Sequence, residues 1–569
     1  MSSNIDRGGQ SAAGKTTELD VAIIGAGCAG LCAIYHFPRM GLSARLYEAG
    51  SGVGGTWYWN RYPGARVDIE SMEYSLAFSD EVQQEWEWTE RYASQAELLK
   101  YFNFVADRLD LRKDMQFNTR INSAIFDEEA NHWVLSTSNG ERIIARHCVM
   151  TTGFLSAPNK PAFKGMESFK GKIYHTGEWP HEGVDLTGKR VGIVGTGSSS
   201  VQMTPIIGEQ AAHLYVFQRT PAFAVPLRNH PMPPEYQQKV KANYGEWRYK
   251  ERYQSFGGWI ALNYEQVPLV MQSALEVSEE ERRAHFEERW QNGGLAFYNT
   301  YPDIYSNREA NDTLADFLRE KIRARVKDRA TAELLMPTIP VLTKRLIADN
   351  GYYEAFNRDN VSLVDVRKTP IEEFTPKGLR VGDEEYELDA IILATGFDAL
   401  TGALTRMDIR GRGGVTLKDH WDGGARTHLG LMSASFPNMY IIAAAGSPAP
   451  LFQPMLLCEE QIDWVGNAIR FLDKYGFAAL EPRPEAEDNW GKLCTEAVGA
   501  TLFPLTESWY VGANVPGKSS TGLSYFGGIG NYRRYCAEAA ASGYADFVLA
   551  GRASRNGERR AETRIAEAV

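Results

Sequence analysis

Two runs of consecutive apolar residues, Val21-Ala22-Ile23-Ile24 and Val191-Gly192-Ile193-Val194, each give way to closely spaced glycines. A segment of helical character follows both. The pattern predicts a short strand, a tight turn and a helix that starts at the turn, twice over. A second strand completes each unit: Ala44-Arg45-Leu46-Tyr47-Glu48 after the first, Leu214-Tyr215-Val216-Phe217-Gln218-Arg219 after the second. Two further apolar runs end alike, Ile143 to Met150 in Thr151-Thr152-Gly153 and Ala390-Ile391-Ile392-Leu393 in Ala394-Thr395-Gly396-Phe397-Asp398. Both read as strands whose small-residue turns carry the chain between domains. The second unit is therefore expected to be inserted in the first, which resumes near Phe397.

Between Val225 and Pro337 charges and aromatics replace the strand pattern and predict a helical subdomain. Ser278-Glu279-Glu280-Glu281 is a capping box for a helix that Gly293 ends. Leu314, Phe317, Leu318, Ile322 and Val326 mark one apolar face of another. The expected fold is α/β, with two Rossmann-like dinucleotide-binding domains and a helical insertion in the second. The boundaries that follow are a disordered lead-in at 1–17, a first domain at 18–153 and 397–549, a second at 154–224 and 338–396, the helical part at 225–337, and a charged tail at 550–569.

The 569 residues suffice for several domains, and 43% apolar with 23% charged residues is ordinary for a globular protein. A net charge of −11 without basic runs argues against a nucleic-acid partner. The first seventeen residues lack the apolar core of a secretory signal, and no apolar stretch approaches the roughly 20 residues that span a bilayer. A cytoplasmic monomer is expected. Six scattered cysteines fit reduced thiols, and no spacing suggests a metal site. Cys28 and Cys32, the only close pair, read as small residues packed against the sheet rather than as a dithiol.

The glycine turns carry the chemistry. Gly25-Ala26-Gly27-Cys28-Ala29-Gly30 lets the backbone approach a pyrophosphate at a helix N-terminus, and Glu48 would accept hydrogen bonds from a free ribose diol, as in FAD or NAD. Gly195-Thr196-Gly197-Ser198-Ser199-Ser200 repeats the design with Arg219, which would pair with the 2′-phosphate of NADP. Ser200 replaces the third glycine, where helix and strand pack closely. Two dinucleotides of different kinds in one chain point to redox chemistry.

Phe169-Lys170-Gly171 through His175 to Trp179-Pro180 reads FxGxxxHxxxWP, and residues 54–68 read GGTWYWNRYPGARVD. With Ala394 to Asp398, Trp509 and Gly512-Ala513-Asn514-Val515-Pro516-Gly517-Lys518, these motifs resemble the type I Baeyer–Villiger monooxygenases over nearly the whole chain. The resemblance implies bound FAD, consumption of NADPH and O2, and insertion of oxygen beside the carbonyl of a hydrophobic ketone by way of a flavin peroxide. It implies that Arg345 is catalytic, as a permanent cation that keeps this oxidant anionic, with Asp68 orienting it. It places Lys344 with Arg219 and Thr220 on the 2′-phosphate, and Trp509 against the nicotinamide. It places other cofactor positions at Gly25, Gly27, Ala29, Gly30, Glu48, Thr56, Trp57, Tyr58, Trp59, Arg66, Tyr74, Ile121, Thr196, Gly197, Ser198, Ser199, Ser200, Val201, Gln202 and Met455. His175 is read as organising the interdomain connection. Leu342 stands where the family commonly has a small residue, and residues 446–454 carry an extra one; Leu342, Leu451 and Phe452 are expected to shape the ketone pocket. The alternatives are oxidation of sulfide sulfur or amine nitrogen, a disulfide reductase, and an NADPH-binding regulator.

Overall fold

The apolar run at 21–24 forms the inner end of a strand, Thr16–Ile24, near the middle of the larger sheet. In the computed structural model, which describes residues 16–254, 270–519 and 523–551, this strand pairs in parallel with Ala44–Tyr47 on one side and Arg142–Met150 on the other. The sheet runs in the order Asp408–Arg410, Ile121–Asp127, His132–Thr137, Arg142–Met150, Thr16–Ile24, Ala44–Tyr47, Met115–Gln116, and Met439–Ile441 adds to Arg142–Met150. Residues beyond 397 thus return to the sheet that the first 150 residues build. Val21, Ala22 and Ile23 are wholly buried, as a parallel strand covered on both faces requires.

The second sheet is entirely parallel, in the order Val361–Asp365, His213–Gln218, Arg190–Val194, Ala390–Leu393, Lys172–His175. All its strands lie in sequence between those of the first sheet, so the chain crosses from one sheet to the other and back.

The helical segment leaves and rejoins this second unit through a short parallel pair, Ala224–Pro226 with Ile347–Asp349. Its helices include Pro234–Ala242, Tyr244–Tyr253, Glu279–Asn292 and Arg308–Arg325. The Ser278–Glu281 capping box forms in both directions, and Gly293 caps the other end of its helix. Leu314, Phe317, Leu318, Ile322 and Val326 are all buried. The short pair matters for chemistry: it brings the turn after Arg219 beside the turn that carries Lys344 and Arg345.

Three boundaries differ from expectation. Thr16 and Thr17 belong to the first strand, paired with Arg142 and Ile143, because ladder hydrogen bonds need no apolar side chain. Ala550 and Gly551 likewise close a strand against Ala479 and Phe477. Val225 and Pro226 lie in the short parallel pair, so helix begins only at Pro234. The rest of the lead-in (1–15), most of the tail (552–569) and residues 255–269 of the helical segment lie outside the described residues.

Candidate active site

Both glycine turns adopt one backbone. Gly25 has φ +112° and Gly195 φ +111°, left-handed values that a side chain resists, and Gly27 and Gly197 stand just before their helices with φ −80°. Each turn abuts the crossover strand of its own sheet. A Cβ on Gly25 would lie 2.7 Å from the Thr151 carbonyl oxygen, and one on Gly195 2.6 Å from that of Ala394. The third positions differ. A Cβ on Gly30 would fall 1.9 Å from the Gly25 carbonyl oxygen, whereas Ser200 is accommodated fully buried. Its hydroxyl has no hydrogen-bond partner among the described residues. Ala29 and Val201 are buried core residues of the two helices.

Glu48 braces the first turn. Its carboxylate accepts the Ala26 N–H at 2.8 Å and the Gly50 N–H at 2.7 Å, leaving lone pairs for a ribose diol. The backbone of residues 118–119 runs alongside, bonded to Gly50 and Glu48, and leads to buried Ile121. Across the turn, Gly54 N–H bonds the Ala26 carbonyl, and a Cβ on Gly55 would lie 2.8 Å from Gly27 Cα. Facing glycines leave a bare backbone cleft of the kind a pyrophosphate fits.

Residues 54–68 then span to the second unit. Thr56 is exposed, Trp57 and Trp59 half-buried and Tyr58 buried. Trp57 Nε1 donates to the Tyr74 hydroxyl at 3.1 Å. Tyr62 donates to Gln202 Oε1 at 2.9 Å, and Gln202 Nε2 donates to the Arg66 carbonyl at 3.0 Å. Gln202 therefore ties the second helix to the first unit, while the Arg66 guanidinium is engaged by Glu90 and the Tyr92 carbonyl. Ser198 and Ser199 open that helix, and Thr196 Oγ1 bonds the Thr220 carbonyl at 2.6 Å, joining the second turn to the basic strand end.

Lys344 and Arg219 meet as the topology requires. Burial, then the Arg219 charge, lower the Lys344 pKa from its ordinary value, with Glu507 opposing. Two cations held together in this way fit a doubly charged phosphate. Arg345 is gripped end-on: its Nε donates to Asp68 Oδ2 at 3.0 Å and its Nη2 to Asp68 Oδ1 at 2.8 Å. The side chains are 19% and 24% exposed, so the pair is shielded yet open on one side. Burial opposes the arginine's charge, but Asp68, followed by Tyr298 and Tyr510, outweighs it and holds the pKa well above the ordinary value. Arg345 lies over the Tyr298 ring at 5.9 Å, and the Tyr298 hydroxyl accepts the Leu346 N–H at 3.2 Å. The Tyr510 hydroxyl is buried between Tyr298 and Arg345; burial raises its pKa well above the ordinary value, Tyr298 adds to the rise and Arg345 opposes it. Tyr298 and Tyr510 are site residues that no local sequence pattern marks.

Trp509 stands parallel to Phe154 (centroids 6.4 Å apart, planes 16°) and against Tyr510 at 4.3 Å. Leu342, Leu451, Phe452 and Met455 join Tyr298 and Tyr510 in one buried apolar cluster. Leu342 holds φ +68°, which strains a leucine, and Phe452 also carries the Arg533 guanidinium over its ring at 5.5 Å. His175 sits at the crossing of the sheets. Its Nδ1 accepts the Gly177 N–H at 3.0 Å, which leaves Nε2 for the Asn159 carbonyl and Thr395, both at 3.3 Å. Burial lowers its pKa, so it is a neutral organiser. Lys518 and Asn514 clamp the same crossing through Asp398 and the Phe397 carbonyl. Among the described residues no cluster of three metal-ligating side chains forms, and no helix is long and apolar enough to cross a membrane.

Residues 18–229 match the FMO-like family, described as flavin-binding monooxygenase-like. A "Baeyer-Villiger monooxygenase" of Pseudooceanicola batsensis is 43% identical over 93% of this chain and 96% of its own. "Phenazine N-monooxygenase PhzNO1" of Lysobacter antibioticus is 40% identical over 94% of this chain and 97% of its own. A solved structure, "Oxidized steroid monooxygenase bound to NADP", superposes with a TM-score of 0.87 at 47% identity, covering 94% of this chain and 99% of that one.

Proposed function

The chain belongs to the Baeyer–Villiger monooxygenases, and from that premise we infer that it converts a hydrophobic ketone, with O2 and NADPH, to an ester or lactone. The observation that carries this reading is the Arg345–Asp68 fork, set where the segment from the first glycine turn meets the strand return beside Arg219. When bound, FAD with NADPH as its reductant would supply the electrons that activate O2. Glu48 and the bare backbone of Gly25, Gly27 and Gly55 hold the FAD adenosine diphosphate portion, and Arg219 and Lys344 hold the NADP 2′-phosphate.

Arg345 keeps its positive charge at every working pH. It stabilises negative charge on the attacking oxygen and then on the former carbonyl oxygen of the ketone. Asp68 fixes the plane of the guanidinium through its two hydrogen bonds. Trp57, Trp59 and Trp509 narrow the approach and keep water away from the reacting atoms. Leu342, Leu451 and Phe452 form the apolar side that selects the ketone. Work as a monomer in the cytoplasm is part of this reading, and six free thiols fit such a reducing compartment.

A ketone panel assayed by product mass tests the reading: a gain of one oxygen with NADPH oxidised one for one supports it. One observation favours a second reading, oxygenation of amine nitrogen or sulfide sulfur: the Lysobacter relative carries an N-monooxygenase name at 40% identity. Phenazines and sulfides assayed beside the ketones separate the two. The first reading fails if nitrogen or sulfur gains oxygen while no ketone does.

A further inference from the structure

Cys28 opens the helix Cys28–Arg39 directly after Gly27, and its Sγ lies 3.5 Å from the Sγ of Cys458, 430 residues away on the helix Pro454–Tyr475. Nothing in the reaction above uses either thiol. Cys28 is half-buried, Cys458 fully. We propose that Cys28 and Cys458 are a peroxide-oxidisable dithiol, a modification site in the wall of the cofactor cleft that closes to a disulfide when O2 is reduced without a ketone to receive the oxygen.

Three features support this. Cys28 occupies the first turn of a twelve-residue helix, whose dipole favours a thiolate. The 3.5 Å contact sets the two sulfurs together, and the half-buried Cys28 is the one a peroxide can reach while the fully buried Cys458 stands behind it to resolve the product. Third, the pair adjoins the reacting centre. Tyr74, bonded to Trp57, has its pKa raised first by burial, then by Cys28, and also by Asp68 and Cys458. The same phenol thus feels both sulfurs and the carboxylate that grips Arg345.

The chemistry balances with hydrogen peroxide as oxidant. The Cys28 thiolate attacks one peroxide oxygen and displaces hydroxide, which takes a proton to become water, leaving a sulfenic acid. Cys458 sulfur attacks that sulfur and expels a second water, forming the S–S bond. Two thiols lose two electrons and two protons; one peroxide becomes two waters. The sulfurs must close from 3.5 Å to about 2.05 Å. Cys32 is no substitute. It lies one turn on along the same helix, where Cβ atoms stand about 5–6 Å apart, beyond the usual disulfide range.

This proposal rests on the proposed function only for the source of peroxide, so the test has two arms. In one, the holoenzyme receives hydrogen peroxide directly; in the other, it turns over NADPH without ketone, with and without catalase. Both are quenched with an alkylating reagent, digested and read by mass spectrometry. A peptide joining Cys28 to Cys458, reversed by dithiothreitol, is expected in the first arm, and in the second only without catalase. In Cys458→Ser the cross-link should vanish and dimedone should trap Cys28 as sulfenic acid; Cys28→Ala serves if that variant does not fold, and should leave Cys458 alkylated. Full alkylation of both cysteines after direct peroxide overturns the dithiol. A cross-link with direct peroxide but none during turnover overturns only the internal source.

Discussion

Replacing Arg345 with alanine separates folding from chemistry at the point where the two are coupled. The substitution removes two charge-assisted hydrogen bonds, at 2.8 and 3.0 Å, each worth about 1.5–3 kcal/mol in shielded surroundings. Asp68 is left 24% exposed, enough for water to reach the abandoned carboxylate, so the net loss of stability should be about 1–3 kcal/mol. No residue bracing the glycine turns is touched. The variant should therefore fold, carry flavin at wild-type stoichiometry by its visible absorption, and bind NADPH. Ester formation is another matter: losing a donor aimed at developing negative charge costs about 100- to 1000-fold. Product mass at saturating NADPH and ketone measures this directly. Ester formation within tenfold of wild type, in flavin-loaded protein, would refute the role given to the guanidinium. Arg345→Lys should not rescue, because an ammonium cannot span both Asp68 oxygens.

Arg219→Ala removes one of the two cations assigned to the 2′-phosphate and should raise the KM for NADPH about 10- to 100-fold, leaving that for NADH unchanged; parallel loss for both cofactors counts against the assignment. At Leu342 the usual order of glycine and alanine should invert. Leu342→Ala keeps the strain of φ +68° and loses a buried side chain, whereas Leu342→Gly recovers about 1–2 kcal/mol of that strain. Denaturant midpoints should rank glycine above alanine, and the reverse ranking defeats the strain argument. Substituting Leu451 and Phe452 with alanine should change the ranking of ketones by kcat/KM, and an unaltered ranking removes them from the pocket. His175 has a folded pKa below its unfolded one, so the unfolded chain takes up a proton first on acidification. Its contribution is full above about pH 6.5 and is lost as pH falls below that value. His175→Asn, read by unfolding midpoints, should flatten this acid limb, and an unchanged limb assigns it elsewhere.

Much of this arrangement was legible because it is local. A strand, a glycine turn, a helix and a reading residue occupy fewer than thirty consecutive positions, 21–48 and 191–219, so both units could be placed, with Glu48 and Arg219 at their ends. The capping box at Ser278 and the buried face from Leu314 to Val326 are also short-range patterns, and the helices formed on them. Strand ends were harder to place. Thr16, Thr17, Ala550 and Gly551 carry no apolar pattern, and only the partner strand makes them extended. The tyrosines beside Arg345 and the sulfur beside Cys28 come from remote segments, at 298, 510 and 458, and no spacing in the sequence encodes those meetings. The spacing that is visible, between Cys28 and Cys32, reads as two small residues packed against the sheet, and Cys32 is fully buried there.

The insertion of one dinucleotide unit within the other explains why Arg345 stands where it does. Had the two units followed in tandem, one linker would join them and their relative position would rest on surface packing alone. Here two crossings, at 151–159 and 394–398, lie side by side and are fastened by His175, Asn159, Thr395 and Lys518. A third tie runs from the first glycine turn through residues 54–68 to Gln202, where a Cβ on Gly64 would come 2.5 Å from the Gln202 carbonyl oxygen. Asp68 closes that segment, and the short pair Ala224–Pro226 with Ile347–Asp349 delivers Arg345 to it from the other side. The fork thus joins the end of one unit's segment to the start of the other's returning strand. Movement of the units relative to each other must either carry both residues together or break two charged hydrogen bonds, so domain position and the direction of the guanidinium are coupled variables.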